Sequence, residues 1–500
     1  MGLFSKKRAP PPTVPTDEVI PVRFVDELYQ WSFDFTLFFE DVMDVEILRN
    51  SVDRLLHKDG WRQLGARLRR AKNGRLEYHL PIEFNEKRPL YLFTTEEHDS
   101  SIHDHPVLRN LPKPDGKRPT IFEPSAASFR QYARAPTTPE AFDDWLYNDI
   151  PQLSFHVVNF QDASIITVTA LHTLTDMMGL GSFCHAWLAM LRGEEEIIPP
   201  FIGYKDKDPL EGLQQGKKPP KYIFADRLLK GWGFFKFVIR NMFDRWWYPL
   251  ASVRYISLPG KFVDKLTASA RKELAAAQGD VDASETFISE SDVLNAWWTR
   301  IIIKNLKPPT NRTVCITNNF DCRDILAKMG LLPSSNVALL GNAVYSAPCF
   351  LPISRFANTA YPLGLLAHQV RNTIKVHRTV EQVQAQDAEY RESKRKTGHL
   401  PLYGDSDMLL CLVTNVYRGR LYQMDFSPAV VAQDDQEEKR KVGRPMFVNF
   451  TAMESRWATR NGSAILGKSN TGDWWMSSRL RHDVWKKVEK HFETLSVTSM

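Results

Sequence analysis

The hydrophobic pattern of this chain alternates between the two-residue period of strands and the three-to-four-residue period of helices. Residues 38–60 (FFEDVMDVEILRNSVDRLLHKDG) place apolar side chains at helical spacing and end at a glycine, which predicts a helix. Residues 74–84 (GRLEYHLPIEF) alternate as a strand does. Two more predicted strands, 152–160 and 164–171, flank the turn QDAS, and a helical pattern follows Gly179.

The second half of the chain repeats this mixture of periods. Helical spacing recurs in 261–278, 289–306 and 481–495, whereas strand-like runs occupy 313–320, 337–345, 408–416 and 445–453. Proline, glycine and charge dominate 192–222, which predicts a linker. Because 500 residues exceed the usual size of one core, we expect two mixed α/β domains. The expected division is a disordered leader (1–18), an N-terminal domain (19–205), a crossover (206–254) and a C-terminal domain (255–500).

Composition narrows the class of protein. The net charge of +6 is small for this length and forms no basic stripe, so we expect no nucleic-acid partner. The start of the chain has no apolar signal segment, and no run of apolar residues is long enough to span a membrane. The five cysteines are scattered and lack CxxC spacing. These features predict a reduced, cytoplasmic compartment.

The strongest chemical candidate is His172, which follows the apolar strand 164–171. Asp176 comes four residues later and can cap the next helix, and Gly179 allows close approach of a substrate or backbone. A neutral imidazole at a strand end could take a proton from a hydroxyl or an amine. No GxSxG motif or suitable cysteine supplies a nucleophile, so direct activation of the acceptor is favoured. From these residues alone, a capped helix beside an incidental histidine is equally open.

Other motifs offer less. His103 and His105 lie two residues apart in a loop without further metal ligands at suitable spacing, so we expect no metal site. The glycines form neither GxGxxG nor GxxxxGK[ST], which argues against a nucleotide phosphate loop.

Three downstream segments resemble, in order and spacing, the signatures of the BAHD acyltransferases. They are FISESDVLNAWWTR (287–300), NNFDCRDILAKMGLLPSSNVALLGNAV (318–344) and TNVYRGRLYQMDFSPA (414–429). The last segment resembles the family's Thr-Ser-Trp-x-Arg and Asp-Phe-Gly-Trp-Gly motifs, but the chain reads DFSPA where the family has glycines and a tryptophan. These departures resemble a divergent fungal branch associated with natural products.

The resemblance implies a fold like that of chloramphenicol acetyltransferase, with two domains of related topology and an active-site channel between them. It implies that His172 is the general base, reached by acyl-CoA from one face and by the acceptor from the other. It also implies that Asp176 turns away from the site to pair with Arg323, and that Asp425 braces its own loop. Thr414 and Asn415 are the candidates for binding the oxyanion. The candidates for lining the channel are Gly179, Asn318, Asp321 and Asn342.

The function implied is acyl-CoA-dependent O-acylation, with acetyl-CoA as co-substrate, of a small natural-product alcohol by a monomeric enzyme. N-acylation and a condensation-domain-like reaction are alternatives, although Leu171 stands where condensation domains have a second histidine. A catalytically degenerate binding protein of the same fold is another alternative. It stays open because the Gly-Trp-Gly motif is missing.

One aromatic and basic segment, 228–250, belongs to none of these motifs. Its sequence is LLKGWGFFKFVIRNMFDRWWYPL. Aromatic stripes usually pack in cores, so a crossover helix packed on both domains is one interpretation. A helix resting on a membrane, or a hydrophobic lid at the channel mouth, is the other.

Overall fold

The computed structural model describes residues 8–123, 125–215, 219–278, 287–333, 336–432, 441–452 and 460–495. The strands are β1 (Glu18–Pro21), β2 (Ser32–Phe39), β3 (Val42–Met43), β4 (Arg67–Arg70), β5 (Leu76–Leu80), β6 (Leu92–Glu97), β7 (Thr120–Phe122), β8 (Leu153–Asn159), β9 (Ser164–Leu171), β10 (Phe201–Ile202), β11 (Ala251–Leu258), β12 (Thr313–Asp321), β13 (Ala338–Leu339), β14 (Val344–Pro352), β15 (Leu409–Asn415), β16 (Val430–Ala432), β17 (Phe447–Ala452), β18 (Gly462–Lys468) and β19 (Trp474–Arg481). The α-helices are α1 (Val45–His57), α2 (Ala126–Arg130), α3 (Phe142–Tyr147), α4 (Met177–Leu191), α5 (Gly231–Trp247), α6 (Gly260–Gln278), α7 (Glu290–Leu306), α8 (Arg323–Lys328), α9 (Ile353–Ala357), α10 (Leu363–His377), α11 (Val380–Thr397) and α12 (His482–Glu493).

Two mixed sheets organise two lobes, each with its own apolar core. The N-terminal lobe contains a five-stranded sheet in the order β17-β2-β9-β8-β6, and α1 and α4 contribute to its core. The C-terminal lobe contains a seven-stranded sheet in the order β14-β12-β15-β18-β19-β11-β7, with α6, α7, α10 and α12 in its core. The structure therefore has the mixed α/β architecture in two lobes that the sequence predicts.

The lobes exchange strands, which the predicted division at 19–205 and 255–500 does not include. β17, from the C-terminal half, pairs antiparallel with β2 in the N-terminal sheet. β7, from the N-terminal half, pairs antiparallel with β11 in the C-terminal sheet. Because strand pairing joins residues distant in sequence, local periodicity could not reveal this exchange.

Two local predictions need correction. The segment 38–60 is not one helix, because its first residues end β2, and α1 begins only at Val45, where Asp44 caps it by accepting a hydrogen bond from the Ile47 amide (2.9 Å). β2 is buried along its whole length between β9 and β17, so its apolar run lacks the alternation of a half-exposed strand. Part of the predicted disordered leader, residues 1–18, also has defined contacts. The carbonyl of Pro12 accepts a hydrogen bond from Arg69 (2.9 Å), and β1 begins at Glu18. Residues 1–7 of the predicted leader lie outside the described ranges.

The hairpin that leads to the candidate base agrees with the sequence. β8 and β9 pair antiparallel around the QDAS turn, as the two predicted strands imply, and α4 follows closely. Among the described residues, no helix combines the length and the apolar character needed to cross a membrane.

Candidate active site

The backbone of His172 is held by two distant parts of the chain. Its amide donates to the carbonyl of Trp31 (2.7 Å), which extends the β2–β9 pairing by one residue. Its carbonyl accepts a hydrogen bond from the side-chain amide of Asn342 (2.8 Å). Since both main-chain groups are engaged, the position of the imidazole at the end of β9 is well determined.

Three aromatic side chains surround the imidazole of His172. Tyr29 stacks on it with centroids 4.6 Å apart and an interplanar angle of 16°. Trp31 and Phe33 meet it edge-on, at 5.0 Å and 5.6 Å. The residue is half-buried and keeps part of its surface accessible. Sequence patterns did not identify this aromatic cage, because its members precede His172 by about 140 residues and carry no motif of their own.

The cage affects the protonation of His172. Burial lowers the pKa of the imidazole below its ordinary value, and this outweighs the opposing influences of its own backbone, the Asp176 charge and the Asn342 side chain. The neutral form, which can accept a proton, therefore predominates at neutral pH.

Asp176 points away from the imidazole and binds the start of α4. Its Oδ1 accepts hydrogen bonds from the amides of Met178 (2.9 Å) and Gly179 (2.8 Å), as the sequence predicts for a helix cap. Its Oδ2 accepts from the Ala343 amide (2.9 Å). Arg323 donates to both oxygens, at 3.0 and 3.1 Å. The predicted Asp176–Arg323 ion pair is thus present and ties the HTLTD turn to the C-terminal half.

Arg323 has further partners that keep it in place. It donates to the carbonyls of Leu339 (2.9 Å) and Gly341 (2.8 Å) and pairs with Asp321 (2.5 Å). Although burial opposes its charge, the adjacent Asp176 and Asp321 raise the pKa of Arg323 above its usual range. Burial raises the pKa of Asp321 despite the nearby Arg323. The guanidinium of Arg323 is therefore permanently charged and links the two halves of the chain.

Asn342 differs from its expected place in the channel lining. It is 1% exposed, and its amide group bridges the His172 carbonyl and Asp26 Oδ1 (2.8 Å each). The backbone amide of Asn342 also donates to the same Asp26 oxygen (2.6 Å). Burial raises the pKa of Asp26 to about 7, against the lowering influences of Arg23 and Asn342. Asn342 thus supports His172 from behind, and Asp26 was not identified from the sequence.

Gly179 also has a packing position rather than one that lines a channel. A Cβ atom there would lie 2.2 Å from the carbonyl oxygen of Leu340 and 2.4 Å from the Thr175 hydroxyl. The absent side chain lets the first turn of α4 approach the segment before Asn342 closely. This contact brings the two halves of the chain together beside His172.

A cavity of about 420 Å³ opens next to this junction, between α7, α10 and the ends of the central C-terminal strands. Asn318, Asp321 and Asn415 line it, as does Met178 from the first turn of α4. Two of the predicted channel residues, Asn318 and Asp321, therefore do border a cavity. Arg418 and Lys468 line it as well, and neither has a carboxylate partner among the described residues. Arg418 matches the arginine of the family's Thr-Ser-Trp-x-Arg motif, whereas Lys468 was not singled out from the sequence.

Thr414 and Asn415 end β15 near the same cavity. The Thr414 hydroxyl accepts a hydrogen bond from Asn319 (3.4 Å), which leaves its own proton available to donate. The side-chain carbonyl of Asn415 accepts from the Tyr417 amide (3.0 Å). The side-chain nitrogen of Asn415, Nδ2, makes no hydrogen bond within the described part of the chain. Both side chains thus retain donor capacity.

Asp425 organises its own loop, as the resemblance implies. Its carboxylate accepts from the Ser427 amide (3.0 Å) and from Arg444 (3.2 Å). Although burial acts against them, these contacts lower the pKa of Asp425. The neighbouring Phe426 is fully buried against Phe39 and Trp187 in the N-terminal core. The DFSPA segment therefore keeps an anchoring function in packing although it lacks the family's glycines.

The loop histidines considered as metal ligands have other contacts. His105 Nδ1 accepts hydrogen bonds from the amides of Val107 (3.2 Å) and Leu108 (3.0 Å). Within the described ranges, no group of three or more His, Cys, Asp or Glu side chains is arranged to hold a metal ion.

The whole chain is similar in sequence to known fungal proteins. The chain is 60% identical to transcriptional regulator sdnM of Sordaria araneosa, covering 99% of this chain and 100% of that protein. It is 37% identical to acetyltransferase sphE of Aspergillus fumigatus, with coverage of 99% and 98%. No family model matches the chain.

Solved structures share the fold at low sequence identity. The structure of TRI101 from F. graminearum with coenzyme A and T-2 mycotoxin aligns with a TM-score of 0.65 at 15% identity, covering 96% of this chain and 99% of that one. Vinorine synthase aligns with a TM-score of 0.57 at 14% identity, with coverage of 99% and 98%. These similarities confirm the two-lobed acyltransferase fold.

The full-length relatives, together with the fold, identify a BAHD-type acyltransferase. With its full-length similarity to fungal acetyltransferases and O-acyltransferases, the chain belongs to the fungal branch of this family. It is an enzyme that transfers acyl groups.

Proposed function

We propose that this enzyme transfers an acetyl group from acetyl-CoA directly to a hydroxyl of a small natural product, with His172 as general base. The observation that carries the proposal is a neutral imidazole at the junction of the two halves, held through its backbone by Trp31 and Asn342. The named activity of the fungal relatives supports acetyl transfer, and the coenzyme A and T-2 mycotoxin bound in the TRI101 structure support a ternary complex with a small acceptor.

In the proposed reaction, the acceptor hydroxyl attacks the thioester carbonyl while its proton passes to His172. The tetrahedral intermediate then collapses, and the departing thiolate takes the proton from the imidazolium. General-base assistance of this kind typically contributes about 10²–10⁴-fold to the rate. No covalent enzyme intermediate is needed because a thioester is already reactive.

Thr414 and Asn415 are proposed to stabilise the oxyanion. Each retains a donor in the described structure, and Asn415 borders the cavity beside α4. One donor of this kind typically contributes about 10²–10³-fold.

We assign the cavity of about 420 Å³ to acyl-CoA. Its volume is within the usual range for ligand sites. Arg418 and Lys468 can bind phosphate oxygens there, and Asn318 and Asp321 supply polar groups for the rest of the carrier. Gly179 and Asn342 keep supporting positions in this scheme, as do Asp176, Arg323 and Asp425.

A binding or regulatory role beside acyl transfer is the second candidate. It is favoured by one observation, the 60% identical relative that is named a transcriptional regulator. N-acylation and a condensation-type reaction use the same base and differ in the nucleophile, so acceptor screening with alcohols and amines separates them.

The proposed setting is a cytoplasmic monomer with peripheral membrane contact through residues 228–250. All five cysteines are free and buried, which fits a reducing compartment. The strand exchange completes both sheets within one chain, which fits a monomer. Light scattering after size-exclusion chromatography tests the oligomeric state.

The decisive experiment measures the release of CoA from labelled acetyl-CoA, with and without candidate alcohols. We expect slow hydrolysis by the wild type and its loss, by about 10²-fold or more, in His172→Ala. His399→Ala is the matched control, because it removes an exposed histidine and should leave the rate unchanged. Equal turnover in His172→Ala would contradict the assignment of His172 as general base, whereas binding of acetyl-CoA without any turnover would contradict the proposed acetyl transfer itself.

A further inference from the structure

Helix α5 is a 17-residue helix in which no residue is buried. Its most exposed aromatic side chains are Trp246 (72%), Trp247 (69%), Trp232 (65%) and Phe243 (61%). These exposed aromatic side chains therefore do not pack on both domains, as one interpretation of the sequence has it. A soluble protein rarely exposes a contiguous apolar surface of this kind unless something binds to it.

The exposed side chains of α5 share one face. Trp232, Phe235, Met242 and Trp246 are three, seven and four residues apart, the spacing that aligns side chains along a helix, and Phe243 lies three residues before Trp246. The apolar stripe thus faces outward, which is the reverse of an ordinary surface helix. Lys236 lies on the same face, with its amine 5.8 Å from the Trp232 ring. Aromatic residues mixed with cations are typical of helices that lie in a membrane interface.

The opposite face of α5 covers a second cavity of about 470 Å³. Five arginines line it: Arg240 and Arg245 from α5, and Arg312, Arg460 and Arg481 from the C-terminal lobe. Asp244 is the one carboxylate among the described lining residues. The cavity is therefore strongly cationic.

Asp244 neutralises only part of this charge. It pairs with Arg460 (2.5 Å) and with Arg481 (3.0 Å), and Asp483 also pairs with Arg481 (2.8 Å). Arg240 has no ion pair within the described ranges, and Arg312 donates to a main-chain carbonyl, that of Asp407.

The positive charge in the cavity acts on the pKa of two of the arginines. Burial, reinforced by the adjacent Arg460 charge, lowers the pKa of Arg245. Burial and the charge of Arg240 act in the same way on Arg312. An anion in the cavity would relieve this repulsion, and arginine binds phosphate oxygens well.

This cavity is separate from the one assigned to acyl-CoA. Leu409 and Leu410 border it at the start of β15, whereas Val413 and Asn415 border the other cavity at the strand's end. These residues are three to six steps apart, which corresponds to about 10–20 Å along a strand, and the two cavities share no lining residue. The arginines therefore do not belong to the catalytic site.

Charge identifies the partner of α5. A second copy of the chain would bring two cationic cavities and the cations of two helices together, and these would repel each other. An anionic lipid surface complements both features, because its acyl region accepts the aromatic side chains and its headgroups accept the arginines.

We propose that α5 lies in the interface of an anionic membrane and that the arginine cavity binds the phosphate of a lipid headgroup. This inference rests on the membrane contact proposed above and names its lipid class. It is independent of the acyl transfer at His172.

Vesicle co-sedimentation of the full chain tests the proposal. One set of vesicles contains phosphatidylcholine alone, and the other contains phosphatidylcholine with phosphatidic acid, at the same ionic strength. We expect tighter binding to the second set. Arg240→Gln/Arg312→Gln should weaken that binding by about 30-fold, since each basic residue contributes about fivefold, and should leave binding to phosphatidylcholine unchanged.

Two matched variants separate the contributions. Lys272→Gln/Lys328→Gln removes the same charge from exposed positions elsewhere and should have little effect. Phe243→Ser/Trp246→Ser should weaken binding to both vesicle types. Thermal unfolding of each variant establishes that it is folded.

The outcomes distinguish the two levels of the proposal. No binding to either vesicle type overturns the membrane contact itself. Equal binding to both types, or an equal loss in the lysine variant, overturns the headgroup site alone. Inorganic phosphate that stabilises the wild type, but not Arg240→Gln/Arg312→Gln, without vesicle binding would assign the cavity to a soluble anion and overturn the lipid assignment.

Discussion

The side-chain amide of Asn342 donates to the main-chain carbonyl of His172, so a residue 170 positions downstream holds the proposed base in place. The same amide also donates to Asp26. The main chain of His172 is thus fixed by distant residues, and the aromatic cage contacts its ring.

Replacing Asn342 should reduce catalysis through positioning. In Asn342→Ala, the His172 carbonyl and Asp26 lose a buried donor, which costs about 1–3 kcal/mol of stability. We expect kcat to fall by at least tenfold, while KM for acetyl-CoA changes little because the cavity assigned to CoA is not altered. Steady-state kinetics and urea unfolding provide both readouts. A change confined to KM would place Asn342 in the channel lining instead.

Asp176→Asn should destabilise the protein more than a typical substitution. The substitution removes the negative charge that pairs with the buried guanidinium of Arg323. Breaking a buried ion pair costs about 3–5 kcal/mol. Asp324→Asn is the control, because its own side chain is 43% exposed and that of its partner Arg378 is 23% exposed. That surface pair should contribute at most about 1 kcal/mol. Equal shifts in the urea midpoint for the two variants would contradict the bracing role of Asp176.

The pH dependence of kcat/KM should report His172 as a base with a lowered pKa. Activity should rise with pH, through a pKa below the usual 6.5 for histidine, and then level off, because the neutral ring is the active form. A half-maximal rate above pH 7, or a rate that falls across this range, would contradict the assignment.

The same pKa shift has a consequence for stability. Between the folded-state pKa and about 6.5, the unfolded state binds more protons at this position, so stability rises with pH and becomes constant above that window. His172→Gln should remove this contribution. Comparing the unfolding free energies of the two proteins at pH 5 and pH 8 checks the sign, and an identical pH dependence would contradict it.

Gly179→Ala should be damaging, although alanine is the better helix former. The new Cβ would meet the Leu340 carbonyl at 2.2 Å, so α4 or the segment before Asn342 must move. Gly181→Ala is the control in the same helix, because its nearest neighbour lies at 3.6 Å and the change should stabilise by about 0.5–1 kcal/mol. Thermal unfolding and acetyl-CoA turnover are the measurements. Similar behaviour of the two variants would show that the contact beside His172 tolerates displacement.

The sequence by itself determined the local features of this protein. Alternation and length predicted the β8–β9 hairpin, helical spacing predicted α6, α7 and α12, and the position of Asp176 before α4 predicted its cap. These features depend on neighbouring residues and their hydrogen bonds, so a short window contains the information. The motifs also identified His172 and its distant partner Arg323 through resemblance.

Tertiary structure alone decided what surrounds that histidine. The aromatic cage from β2 and the loop before it, the Asp26–Asn342 support and the exchange of β7 and β17 between sheets all join residues more than 100 positions apart. The outward face of α5 is another such feature, because the periodicity of a helix shows which residues share a face but not whether that face meets a core, solvent or a membrane. Packing of the whole chain makes that choice, since burial depends on what the rest of the fold brings alongside.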